Sequence, residues 1–168
     1  MAPVTRDAAP PAVAVRAPEV ADGSSLWRLA RDSRVLDVNT SYAYLLWCRD
    51  FAATSAVAEV DGERAGFVTG YLRPDRPDTL MVWQVAVDES HRGLGIARRL
   101  LDTVADRCAS SYLETTIEPG NTASIALFTA FARGRDAGVD RETLFDGGAF
   151  PDGHEPEVLF RIGPLGPR

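Results

Sequence analysis

Residues 80–87 read Leu-Met-Val-Trp-Gln-Val-Ala-Val, residues 88–95 Asp-Glu-Ser-His-Arg-Gly-Leu-Gly, and residues 96–108 Ile-Ala-Arg-Arg-Leu-Leu-Asp-Thr-Val-Ala-Asp-Arg-Cys. The first segment is an apolar run of strand length, rich in β-branched residues. In the last, Ile96, Ala97, Leu100, Leu101, Val104, Ala105 and Cys108 recur at three- and four-residue steps. That spacing predicts an amphipathic helix with Arg98, Arg99, Asp102, Asp106 and Arg107 toward water. Between the two, Arg92-Gly93-Leu94-Gly95 must turn the chain and leave backbone N–H groups free, which glycine permits. A strand ending in a Gly-rich turn that opens a helix is an anion site, because unpaired N–H groups and the helix dipole converge on it. A phosphate-bearing cofactor is expected here.

Two familiar phosphate loops are excluded. A dinucleotide fingerprint needs a third glycine where Arg98 stands, and a P-loop needs a lysine, of which the chain has none. The missing lysine also removes a pyridoxal Schiff base.

At 168 residues the chain is long enough for one domain with a real core, and 45% apolar with 25% charged residues is ordinary for a soluble protein. No apolar run approaches the ~20 residues of a membrane span, so no membrane partner is expected. The net charge of −6 with scattered basic residues argues against nucleic acid and favours a cationic substrate. Cys48 and Cys108 lie far apart on apolar faces and read as buried thiols in a reducing cytoplasm. With His91 and His154 the only histidines, no zinc spacing can be built and no metal is expected.

In chain order, residues 1–20 are Ala-, Pro- and Val-rich without a secretory pattern, and are expected to be a mobile tail whose last part enters a first strand. Residues 21–165 then form a single domain. Leu26–Ser33 predicts a short helix. Asn39, Thr40 or Ser41 can cap a second, whose inner face carries Tyr44, Leu45, Trp47 and Cys48. Asp37 precedes it, free either to face a cleft or to be a solvated loop acid. Residues 55–60 and 64–72 are strand-like and joined at Asp61-Gly62, a hairpin signal. Arg73–Asp78 reads as a rigid connector that leaves the sheet before Leu80. Tyr112–Glu118 predicts a strand, Asn121 caps a helix running to Gly134, residues 135–153 read as polar loop, and residues 154–162 close with a strand.

Arg92-Gly93-Leu94-Gly95-Ile96-Ala97 resembles the pyrophosphate loop of the Gcn5-related N-acetyltransferases, which bind acetyl-coenzyme A. The resemblance implies an α+β fold: a mixed, mostly antiparallel central sheet with a splayed strand pair and flanking helices. It also implies that the strand before the loop carries a bulge. Val85 and Val87 would then contact the cofactor, with the Val85 N–H as the catalytic oxyanion donor. Arg92, Gly93, Gly95, Ile96 and Ala97 would hold the pyrophosphate. Residues 121–128, Asn-Thr-Ala-Ser-Ile-Ala-Leu-Phe, resemble the family's second motif, which puts Asn121, Ser124 and Phe128 beside the cofactor. Phe128 stands where many relatives have a tyrosine acid, and phenylalanine cannot donate a proton.

Residues 36–42, 66–74, 82–88 and 153–164 resemble the branch of this family that acetylates a small diamino acid. By that resemblance Asp37 and Glu157 would hold ammonium, Tyr42 and His154 would supply hydrogen bonds, and Trp83 would form a wall with some cation–π attraction. Glu114, at a position where some relatives place an acid, or Glu118 on the same strand would relay a proton through water as the catalytic group, unless desolvation of the amine suffices. A homodimer is implied as well. The residues alone also allow another amine substrate, or a non-catalytic acetyl-coenzyme A sensor.

Overall fold

A computed structural model describes residues 11–166. Seven strands form one sheet in the order β1-β2-β3-β4-β5-β7-β6. They are β1 (Val13–Arg16), β2 (Ala56–Val60), β3 (Glu63–Arg73), β4 (Arg76–Val87), β5 (Tyr112–Ile117), β6 (Gly138–Phe145) and β7 (Glu157–Gly163). Every neighbouring pair is antiparallel except β4–β5. On one face lie α1 (Gly23–Ser33) and α2 (Ser41–Asp50), over a core of Leu26, Ala30, Tyr44, Val57 and Phe67. On the other lie α3 (Ile96–Arg107) and α4 (Thr122–Gly134), whose Leu100, Leu101, Val104, Phe128 and Phe131 fill the larger core. The expected α+β architecture is the observed one.

Local chemistry sets most boundaries. Asp61 and Gly62 both take positive φ, 51° and 86°, as a two-residue hairpin turn with native strand twist requires. Thr40 caps α2 by accepting from the Ala43 N–H at 3.3 Å. Asn121 caps α4 by accepting from the Ser124 N–H at 3.1 Å.

Several expectations need correction. Val13–Arg16 pairs with β2 as an edge strand, the first strand expected at the end of the tail, so the fold begins before residue 21; residues 1–10 lie outside the described residues. Arg73–Asp78 is a tight hairpin and not an excursion from the sheet: β3 runs to Arg73 and β4 starts at Arg76. Pro77 is tolerated because the register jumps between Leu72↔Leu80 and Arg73↔Arg76, leaving residues 77–79 unpaired with β3. Residues 138–145, read as loop, form edge strand β6, whose mostly exposed side chains carry no burial pattern. Leu45 is exposed, because α2 meets the sheet through Tyr44 and Cys48.

Two features open the sheet. Thr69 pairs with Gln84 and Gly70 with Val82, so Trp83 is the extra residue of a bulge. The bulge inverts the alternation. Leu80 and Val82 before it, and Val85 and Val87 after it, pack toward α3 and α4, while Ala86 packs toward α1 and α2. A strand that is apolar on both faces thereby serves two cores. The second feature is the parallel β4–β5 ladder, which joins only Thr79, Leu80 and Met81 to Tyr112, Leu113 and Glu114. Beyond Glu114, β5 continues against β7 alone, so the strands part into a V.

Glu114 sits at the throat of that V. Its Oε2 accepts from Arg73 Nη1 at 2.8 Å and its Oε1 from Arg161 Nη1 at 2.5 Å, with the side chain 2% exposed. Both of its carboxylate oxygens are thus taken up by guanidiniums within the fold. The expected relay role is therefore replaced by a structural one, tying the β3–β4 hairpin and β7 to the closed end of the V. Asp22, also buried, accepts from Arg16 and Arg64 at 2.7 and 2.9 Å. Burial alone would raise its carboxyl, but these guanidiniums and the Glu19 N–H outweigh it and hold it at about 2. Its contribution to stability is thus present above the unfolded-state value near 4 and is lost as pH falls toward 2.

Asp22→Asn should flatten the fall in melting temperature between about pH 4 and pH 2 and cost about 3 kcal/mol at neutral pH, measured by urea unfolding. Glu114→Gln should likewise cost about 3 kcal/mol, with the loss felt in unfolding and not in proton transfer.

Candidate active site

The V continues into a groove of three chemically distinct parts. At one end β4 runs into the loop 88–95. Gly93 and Gly95 take φ of 81° and 70°, and α3 opens at Gly95 with no side-chain cap. The first-turn N–H groups and Arg92, Gly93, Gly95, Ile96 and Ala97 line one recess, so the predicted phosphate-loop residues come together. Beside it a cleft of about 780 Å³ adds Arg31 and Arg34 from the end of α1. Sequence reading missed both, since they lie some sixty residues from the loop.

The middle is an apolar trough of about 450 Å³ lined by Val35, Leu36, Val85, Val87, Ala97, Asn121, Ser124 and Leu127, among others. The Asp88 N–H bonds the Ala65 carbonyl at 2.8 Å, which fixes the alternation of the β3–β4 ladder. Val85 and Val87 then occupy non-hydrogen-bonded positions toward β3, and their backbone groups turn to the side that β5 has left. Asn121 spends its carboxamide oxygen on the α4 cap, leaving its NH₂ free for the trough. Phe128 does not belong here. It is 2% exposed within the α3–α4 core, and Leu127 faces the groove in its place.

The far end is acidic. Asp37, Trp83, Thr116, Glu118 and Glu157 line a recess of about 240 Å³. His154 reaches into it, with Nε2 3.2 Å from Asp37 Oδ2, 3.3 Å from Glu118 Oε1 and 3.8 Å from Glu157 Oε1. These residues come from the α1–α2 loop, the end of β5, the start of β7 and the loop before it, so no spacing in the sequence displays the cluster. Burial pushes the Glu157 carboxyl up, and its Oε2 has no hydrogen-bond partner. Trp83, raised by the bulge, packs against Trp47 with ring centroids 4.4 Å apart and planes tilted by 33°, and is 41% exposed. Tyr42 is not brought in: it is 65% exposed on the first turn of α2, outside the lining of the recess.

One supporting residue escaped the sequence reading. Gln84 is buried, accepts from the Tyr44 hydroxyl at 3.0 Å, and donates to the Asp37 carbonyl at 2.8 Å. It thus ties the loop that carries Asp37 to the bulged strand. Its signal was visible as the one polar residue in 80–87.

A phosphate loop, an apolar trough and an acidic pocket in series suit a ligand with a phosphorylated end and a reactive end meeting a small cation. The comparisons agree with that geometry. The acetyltransferase (GNAT) family profile matches residues 24–132. The L-2,4-diaminobutyric acid acetyltransferase of Streptomyces coelicolor is 64% identical over 154 residues, 88% of this chain and 91% of that protein. Its namesake from Marinococcus halophilus is 46% identical over 152 residues, 88% of each. The structure of the diaminobutyrate acetyltransferase EctA from Paenibacillus lautus, in complex with L-2,4-diaminobutyric acid and coenzyme A, superposes with a TM-score of 0.88 at 38% identity. That superposition covers 95% of this chain and 99% of the other. With the splayed β4–β5 pair, the bulge and the uncapped glycine loop, these matches make the chain a member of the acetyltransferase (GNAT) family.

Proposed function

We propose that the protein transfers the acetyl group of acetyl-coenzyme A to the γ-amino group of L-2,4-diaminobutyrate. The product is N-γ-acetyl-diaminobutyrate, which a separate cyclising synthase converts to the compatible solute ectoine. The observation that carries the substrate class is the acidic recess: three carboxylates around one imidazole, with no guanidinium among the residues lining it. Three carboxylates against one imidazole leave the recess net negative, which attracts a cation. Diaminobutyrate brings two ammonium groups on a short chain, and likeness to the curated diaminobutyric acid acetyltransferases supports that choice over longer diamines.

The residues present fit acetyl-coenzyme A. Arg92, the Gly93 and Gly95 N–H groups and the α3 N-terminus would hold the pyrophosphate, and the trough accepts an extended apolar arm. When bound, the cofactor supplies an activated thioester. The Val85 N–H would donate to an oxyanion and the Asn121 NH₂ to a polar group of the arm, a reading supported by the parting of β5. The Trp83 face and the Asp37 and Glu157 carboxylates hold and orient the amine. Phe128 being buried, the leaving thiolate is served by water or departs unaided, its parent thiol having a pKa of about 8 to 9.

The reading extends to a cytoplasmic homodimer. Free Cys48 and Cys108 suit a reducing compartment, and the exposed edge strand β6, with Leu144 and Phe145 41% and 50% exposed, supports self-association. No helix among the described residues is long and apolar enough to cross a membrane.

Thiol release should be fast with L-2,4-diaminobutyrate and slower with ornithine, lysine or spermidine, with NMR placing the acetyl group on the γ-nitrogen. Release with another amine alone would discard the substrate and keep the family. Asp37→Ala and Glu157→Ala should raise KM for diaminobutyrate by about 10- to 100-fold, the worth of a charge-assisted contact, and leave KM for acetyl-coenzyme A unchanged. Arg92→Ala should do the reverse, raising KM for acetyl-coenzyme A about tenfold.

A further inference from the structure

The protonation of His154 is constrained from two sides. Its Nδ1 lies 2.7 Å from the Glu155 carbonyl oxygen, which can only accept, so Nδ1 carries its hydrogen in either charge state. The neutral ring must therefore present its lone pair at Nε2. That nitrogen faces the carboxylates of Asp37 from the α1–α2 loop, Glu118 from the end of β5 and Glu157 from β7, while Phe150 stacks on the ring at 4.5 Å. With no substrate, Nε2 takes a proton and the imidazolium bridges the carboxylates. The Glu155 carbonyl, Asp37 and Glu118 accordingly hold the His154 pKa above its ordinary value.

An arriving ammonium is drawn to the same carboxylates. Two cations cannot share that position, so the Nε2 proton leaves to solvent as the ammonium enters. The exposed lone pair then points at an N–H of the substrate. We propose that His154 Nε2 is the general base that deprotonates the γ-ammonium before it attacks the thioester. This rests on the acetyltransferase reading given above. In the step one ammonium N–H bond breaks, its electron pair stays on nitrogen as the nucleophile, and the proton forms a bond to Nε2. The imidazolium so restored is the state the empty pocket already stabilises. The second proton that the nitrogen sheds on becoming an amide matches the one the departing thiolate takes up, and the His154 proton returns to solvent. Imidazole is also suited to the task by its intrinsic basicity, since its ordinary pKa of about 6.5 lies nearer that of an ammonium than a carboxylic acid's ordinary value does.

His154→Gln tests this, since residue 154 lies on a loop outside both cores and an unchanged acetyl-coenzyme A dissociation constant checks the fold. The wild type should show an acid limb in kcat/KM above about pH 6.5. The variant should lose that limb and about 100-fold or more in kcat, with KM for diaminobutyrate within about threefold. Calorimetry in buffers of different ionisation enthalpy should find up to about one proton released when diaminobutyrate binds the wild type near neutral pH, and none with the variant. A variant that keeps kcat and its acid limb but raises KM would overturn the base and make His154 a substrate contact only, as would equal proton release in both proteins. A wild type that releases thiol with no amine would sink the acetyltransferase reading itself.

Discussion

Where β4 and β5 part, the sheet gives up hydrogen bonds that a continuous ladder would have kept. The backbone groups of Val85 and Val87 are left facing the gap with no strand to pair them. Buried peptide groups rarely stay unpaired, so the gap must be filled by water or by a ligand with its own amides and carbonyls. The parting is held from below by the Arg73–Glu114–Arg161 clamp, which fixes the last residue of β5 that pairs with β4. It is shaped from within by the bulge at Trp83, which rotates the rest of β4 and aims its side chains at both cores. The groove is therefore a property of the sheet and not of a mobile loop laid over it.

Charge is distributed by one rule outside the site and another within it. Each deeply buried carboxylate elsewhere meets arginine: Asp22 with Arg16 and Arg64, Asp102 with Arg98 and Arg135, Glu114 with Arg73 and Arg161. The chain relies on guanidinium throughout, having no lysine. A planar, weakly hydrated cation that can serve two carboxylate oxygens suits such part-buried pairs. At the acidic recess the pattern stops. Three carboxylates converge on one imidazole, so the neutralising charge there can be exchanged, whereas that on Asp22 or Glu114 is built in.

The amphipathic period of 96–108 and the glycines before it made α3 and its phosphate loop legible, because both depend on residues adjacent in the chain. The Asp61-Gly62 turn and the Asn121 cap were legible for the same reason. Strand β6 was not, since an edge strand with both faces largely exposed has no hydrophobic alternation to read. Glu114 could not be told from Glu118 by sequence: four residues apart near one strand, one is clamped by arginines brought from β3 and β7 while the other faces His154. Phe128 was legible as a helix residue, yet its direction depended on how α4 rolls against α3, which placed Leu127 in the groove instead.

By itself the sequence determined the local elements that need only neighbours: the strand–loop–helix of 80–108, the caps, the tight turns and the class of cofactor that an uncapped glycine loop accepts. The tertiary structure alone decided which carboxylates are paired with arginine as structural counter-ions and which gather around His154 without one. That outcome depends on distances between Asp37, Glu118, His154 and Glu157, residues up to 120 positions apart that only the packing of the α1–α2 loop against β5 and β7 brings within reach of one another.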